Sequence, residues 1–389
     1  MIKKALISIG LVVLTVLLSG YVYLNPYNRP ASTESTQISV PKREKLRTSQ
    51  RGVYLTGNSA LDREFLEYIV RNSKLAGLDS VVIEIKSLIC GNIRDAMLNH
   101  KLFDYQIEAA SPSLKRIVDY LHSEGMIVSG RMVIFKDDYL ALRRQDLAIK
   151  DESGNLWRDR GGAYWVDPYS KEVWEYNILV AELAAWSGID EIQYDYVRFP
   201  TEGSVGKIIY PHKKQGVSHP QNIAAFLTAS KDRLRKYNVA LTADIFGVVA
   251  WQCRTDIEDL GQDLKLMQEP LDAICPMLYP SHFAPGFDGY KFPGDEPYYF
   301  IKRGVDQLKV SLTPTVEGEK ITCEITPWIQ GFAWGTNIFG PEYVRQQIKA
   351  VNDAGFDRYL VWNANNAYTP TFLALTQKSD KTTLEATRQ

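Results

Sequence analysis

Eight short apolar runs, each parted from the next by a helix-like stretch, constrain this chain more than any other feature. They are RGVYLTG (51–57), SVVIEIK (80–86), MIVSGRMVIF (126–135), EIQYDYV (191–197), ALTADIFG (240–247), AICPMLY (273–279), EITPWIQG (324–331) and RYLVWNA (358–364). Their β-branched and aromatic residues favour extended backbone. Between them, stretches 61–76, 113–124, 170–187, 221–237, 256–267, 298–310 and 341–354 repeat apolar residues at helical spacing. Asp167 before Pro168 and Ser111 before Pro112 read as helix N-caps. Eight strands alternating with helices predict an α/β fold, the (β/α)8 TIM barrel. A doubly wound open sheet is the alternative, but LTGNSA after the first run is not a Gly-rich phosphate loop. With 389 residues, 45% of them hydrophobic, the chain can fill such a barrel, which takes about 250 residues.

The barrel is predicted over 51–376, preceded by an N-terminal transmembrane or signal segment (1–24) and a linker (25–50), and followed by a flexible tail (377–389). Lys3 and Lys4 precede an apolar run that ends at Leu24, and about 20 apolar residues span a bilayer as a helix. An uncleaved anchor is favoured, because Leu18-Ser19-Gly20 is a poor cleavage site; a secreted protein is the alternative. The two lysines favour a single-pass anchor in the cell membrane with the domain outside, against weak opposition from the basic stretch at 42–45. A net charge of −1 gives no electrostatic case for nucleic acid. Cys90, Cys253, Cys275 and Cys323 have no C-x-x-C spacing and no His at zinc-ligand distance, so neither a metal nor a cofactor is predicted. Eight Trp and 22 Tyr offer stacking surfaces for sugars, which makes carbohydrate the expected partner. Oligomeric state is left open.

Charged residues inside the strand runs locate the chemistry. Side chains alternate between faces of a strand. In the fourth run Gln193 and Asp195 share the face opposite Ile192, Tyr194 and Tyr196, so the polar pair points into the barrel. In the fifth run Asp244 is likewise inward and near the carboxyl end, where barrel enzymes carry their catalytic groups. Adjacent strands lie about 4.8 Å apart. Two such carboxyls can therefore approach the separation of about 5 Å found in retaining glycosidases, one as nucleophile and the other as proton donor. The competing reading is a structural ion pair between Asp195 and Arg131 of the third run. Glu84, a third inward carboxylate, is read as structural, paired with Lys86 or Arg131. Tyr54, Trp165, Tyr279, His282, Trp328, Gln330 and Asn363 fall at strand ends or in long loops, where rings suit sugar faces and amides suit hydroxyls. Packing or loop hydrogen bonds are the plain alternatives for these. Arg131, Gln193 and Arg198 complete the candidate binding set, with Arg198 expected to brace a loop or carboxylate at the rim.

The blocks RGVYLTG, GRMVIFKDDYL, LWRDRGGAYWVDPYSKEVWEYN, DEIQYDYVRFP, TADIFG, GQDL, ICPMLYPSHF and PWIQGF occur in this order. Together, over about 51–370, they resemble the DUF4015 family of bacterial glycoside-hydrolase-type barrels, which looks related to α-amylase-type barrels. The resemblance implies that Asp195 is the nucleophile and that Asp244 is the acid where amylases use Glu. Two departures stand out. IEIKSLICG replaces an Asp-rich run after the second strand, and Gly331 replaces an Asp after the seventh. The expected function is a glycoside hydrolase acting on an extracytoplasmic polysaccharide by a retaining two-carboxylate mechanism. The alternative is a non-catalytic carbohydrate-binding barrel in cell-envelope assembly. A polysaccharide deacetylase fits less well, since no His and Asp metal set is present.

Overall fold

The computed structural model describes residues 46–89, 91–107, 109–251, 253–312 and 323–376. The expected anchor, most of the linker, the tail and Cys90 lie outside the described residues. Among those described, no helix is long and apolar enough to cross a membrane.

The strands are β1 (Arg51–Leu55), β2 (Ser80–Glu84), β3 (Ile127–Val133), β4 (Glu191–Asp195), β5 (Ala240–Phe246), β6 (Ala273–Met277), β7 (Glu324–Ile325), β8 (Trp328–Gln330) and β9 (Tyr359–Trp362). Every pairing is parallel, and the sheet closes: β1 lies between β2 and β9, and β5 pairs with β6. Strands β7 and β8 are two pieces of the seventh barrel strand, both pairing with β6. The break falls at Thr326-Pro327, where proline has no N–H for the ladder. The result is the eight-position barrel that the alternating runs predict.

The predicted helices follow the apolar periodicity, with three differences, and the helices Gly91–Leu98, Asp138–Arg143 and Thr369–Leu375 lie outside the predicted stretches. The first long helix, Arg63–Leu75, starts on Asp62, whose carboxylate accepts the Phe65 amide. The expected helix over 256–267 is two, Arg254–Leu260 and Leu264–Met267, parted at Gly261 in the left-handed region. Asp167 is not an N-cap. Its carboxylate accepts the amides of Tyr169 and His212, so it ties a turn to the next loop. Helix Lys171–Trp186 instead starts on Ser170. Ser111 does precede helix Pro112–Ser123, but its hydroxyl donates to the Leu88 carbonyl, not to the helix.

Outward residues of β4 pack on helices: the Tyr194 ring stacks on Phe226 at 5.5 Å. Inward residues form a separate interior cluster containing Tyr54, Val82, Cys275, Tyr279, Trp328 and Leu360. At the floor, buried Glu191 accepts hydrogen bonds from the Ser129 and Thr242 hydroxyls and from the Ser49 amide at 2.6 Å. Residues 46–50, read as the end of the linker, thus run beneath the barrel, and Ser49 is buried. The long third loop folds back on itself through antiparallel bridges at Ala148–Val166, Lys150–Leu156 and Arg158–Tyr164.

Candidate active site

At the carboxyl ends of β2 to β5, one guanidinium gathers three carboxylates. Strand alternation aims Glu84, Arg131, Asp195 and Asp244 into the barrel. Arg131 forms ion pairs with Glu84 and Asp195, and its Nε lies 3.6 Å from Asp244 Oδ2. The sequence left Lys86 or Arg131 open as the partner of Glu84; it is Arg131, while Lys86 pairs with Asp137 at 2.7 Å. Asp244 Oδ1 accepts the Trp328 indole N–H at 2.7 Å. Asp195 Oδ1 accepts the amide of Tyr196 at 2.6 Å.

Burial acts on two of the three carboxyls. Burial, followed by the charge of Asp195, pushes the Asp244 pKa well above the usual carboxylate range, against the pull of Arg131 and the Trp328 hydrogen bond. Burial also raises Glu84, with Arg131 opposing. Burial disfavours the Arg131 cation, but Asp195, Glu84 and Asp244 outweigh it and raise its pKa. The Asp195 side chain ends β4 at a strained point, since Tyr196 has φ of 50°, which costs about 1–3 kcal/mol in a bulky residue. This turn is why the fourth run stops two residues short of the expected 197.

A cavity of about 660 Å³ opens above the cluster and is walled by Asp195, Asp244, Arg131, Arg198, Tyr279, His282 and Trp328. These seven of the sequence-predicted residues are brought together. Tyr54 adjoins them beneath the wall, stacked on Trp362 at 4.1 Å, with Arg131 over its ring. The others are placed differently. Trp165 is fully buried behind the wall, packed on Tyr196 and Arg198, because its indole N–H is held by Asp159. Gln193 is buried one layer below, in register with Arg131 and Thr242. Gln330 holds loops together: its amide donates to the Phe332 and Trp334 carbonyls and its oxygen accepts the Ser281 amide. Asn363 does the same, donating to the Gly331 and Ala367 carbonyls. Arg198 braces Glu202 at 2.8 Å, as its rim position suggested, yet also lines the cavity.

Sequence reading missed Trp362, Trp334, Phe246 and Glu202, all in the cavity wall. Trp362 and Phe246 were within reach, since each lies two residues beyond an inward residue of its own strand. Trp334 and Glu202 come from loops, whose paths no periodicity encodes.

A closed parallel barrel with inward carboxylates at its strand ends and a ring-lined cavity above them is an architecture used by glycoside hydrolases. The chain belongs to the DUF4015 family, described as "Putative glycosyl hydrolase domain", which matches residues 52–368. No curated protein matches the sequence. Among solved structures, the chain is similar to the PgaB (BpsB) glycoside hydrolase domain of Bordetella bronchiseptica, with 11% identity, a TM-score of 0.56, and coverage of 85% of this chain and 100% of that one. It is also similar to the β-galactosidase of the psychrophilic Marinomonas ef1, with 13% identity, a TM-score of 0.51, and coverage of 81% and 54%. A hypothetical protein from Ruminiclostridium thermocellum ATCC 27405 shares 29% identity over 49% of this chain and 96% of that one, with a TM-score of 0.42. The relation to α-amylase-type barrels is a loose fit within this set of glycoside hydrolase barrels.

Proposed function

We propose that the protein hydrolyses a glycosidic bond in an extracytoplasmic polysaccharide with retention of configuration, the N-terminal segment holding the barrel at the outer face of the cell membrane. The observation that carries this reading is the pair Asp195 and Asp244, on adjacent strands, facing one guanidinium under a single open cavity. Asp244, whose pKa burial raises, donates its proton to the leaving oxygen. Asp195, charge-balanced by Arg131, attacks the anomeric carbon from the opposite side. Water then resolves the glycosyl ester, with Asp244 acting as base. Tyr279, His282 and Trp328 supply the surfaces on which the sugar ring rests.

A second reading, a non-catalytic carbohydrate-binding barrel, has one observation in its favour. Both Asp195 oxygens are already engaged, one by Arg131 and one by the Tyr196 amide.

Asp195→Asn separates the two. As nucleophile, its loss lowers turnover by at least about a hundredfold while the melting temperature stays near that of the parent. As a purely structural partner, its loss leaves Arg131 less well paired and lowers the melting point by an amount matching about 3–5 kcal/mol. The anomer first released, followed by NMR, tests retention: an inverted product rules out the covalent route.

A further inference from the structure

The cavity above the carboxylates has a neighbour. A second hollow of about 500 Å³ lies over the ends of β8 and β9, and it shares His282, Trp334 and Trp362 with the first. Each volume falls in the range of about 300–1,000 Å³ usual for a small-molecule site. Trp334 stands between them with 67% of its surface exposed, although large apolar side chains are normally covered. Its edge faces His282 at 5.6 Å.

The far wall is 363–367, and it is rigidly held. Asn366 adopts φ of 56°, its amide donates to the carbonyls of Tyr54 and Asn363, and its oxygen accepts the Thr56 amide. The Asn363 side chain anchors the same turn to Gly331. Exposed Ala364 and Asn365 are therefore presented on a fixed backbone, so a ligand meeting them orders little that is loose. The chemistry of the hollow is rings plus neutral amides. Lys, Arg, Asp and Glu are all missing from its lining, so it suits neither an ion nor a charged peptide.

We propose that this second hollow is a further sugar-binding site continuous with the first, so that the ligand is a linear oligosaccharide or polysaccharide whose chain passes over Trp334. The proposal deepens the glycoside hydrolase reading and rests on it for the identity of the ligand as carbohydrate. It adds that a single terminal sugar fills only part of the site and that affinity grows with chain length.

The test is binding of glucose, galactose and N-acetylglucosamine oligomers, from one ring to six, by titration calorimetry and tryptophan fluorescence. Six-ring chains of the preferred sugar should bind at least about tenfold more tightly than its monomer or dimer. Ala364→Arg, at an exposed position lining only the second hollow, should remove that gain while leaving short-chain affinity within about twofold. Asn365→Ala should reduce the gain without filling the space, which guards against a folding artefact in the first variant. Affinity that is flat with length, a gain that survives Ala364→Arg, or no binding by any of these chains overturns the proposal. Hydrolysis of the same oligomers is scored separately. Length-dependent binding without turnover sinks the hydrolase reading and leaves the second site standing; turnover without length dependence does the reverse.

Discussion

Asp244 is the residue on which the charge balance of the barrel turns. Three carboxylates face one guanidinium, so full ionisation leaves a buried excess of negative charge. Burial and Asp195 place that burden on Asp244 by raising its pKa in the folded protein. A carboxyl that holds its proton more tightly when folded stabilises fully below its unfolded pKa of about 3.9, and that contribution is lost as pH rises through the raised value. Above the unfolded pKa the buried side chain is therefore a cost that grows with pH. Asp244→Asn removes the cost and keeps an oxygen for the Trp328 indole. The variant should melt higher than the parent at pH 8, with the gap closing as pH falls towards 4, while turnover is lost. Thermal melts across that range check the sign: a variant that melts lower at pH 8 shows that Asp244 is held in its charged form by Arg131.

At the scale of elements, the loop after β8 explains one departure from the family pattern. Gly331 sits where an added Cβ would lie 2.6 Å from a Val361 methyl and 2.9 Å from the Trp362 carbonyl oxygen. Restoring the family's aspartate should thus overpack β9 and cost about 1–3 kcal/mol, seen as a lower urea midpoint with no gain in activity. An active, equally stable Gly331→Asp protein would show that the acid belongs there. The strands themselves were readable because inward and outward residues obey a period of two, which puts Asp195, Asp244, Arg131 and Trp328 on inward positions from the sequence alone. What could not be read was where each strand stops. The left-handed turn at Tyr196 and the break at Pro327 are local backbone events inside runs that look uniformly extended. Nor could residue type tell that Trp165, Gln330 and Asn363 hold loops in place, since a ring or amide at a strand end serves packing and binding equally well. Asp167 shows the same limit, as an aspartate before proline suits either a helix start or a tied turn.

For the whole molecule, the sheet order sets both the boundary and the course of folding. The floor is completed by residues ahead of β1, where the Ser49 amide satisfies Glu191. Burial raises the Glu191 pKa, and loss of that donor leaves a buried carboxyl short of a partner. A protein starting at 51 should therefore be soluble but less stable than one starting at 46, by about 1–3 kcal/mol in chemical denaturation; equal midpoints would show that the segment adds nothing. Closure has a further consequence for synthesis. Arg51 of β1 pairs with Tyr359 of β9, so the first strand to be made has one neighbour that is among the last. Contacts this distant in sequence form slowly, because a very long loop must close before they give anything back. Until the chain has been made as far as Trp362, β1 lacks its partner on that side and the barrel cannot close during synthesis.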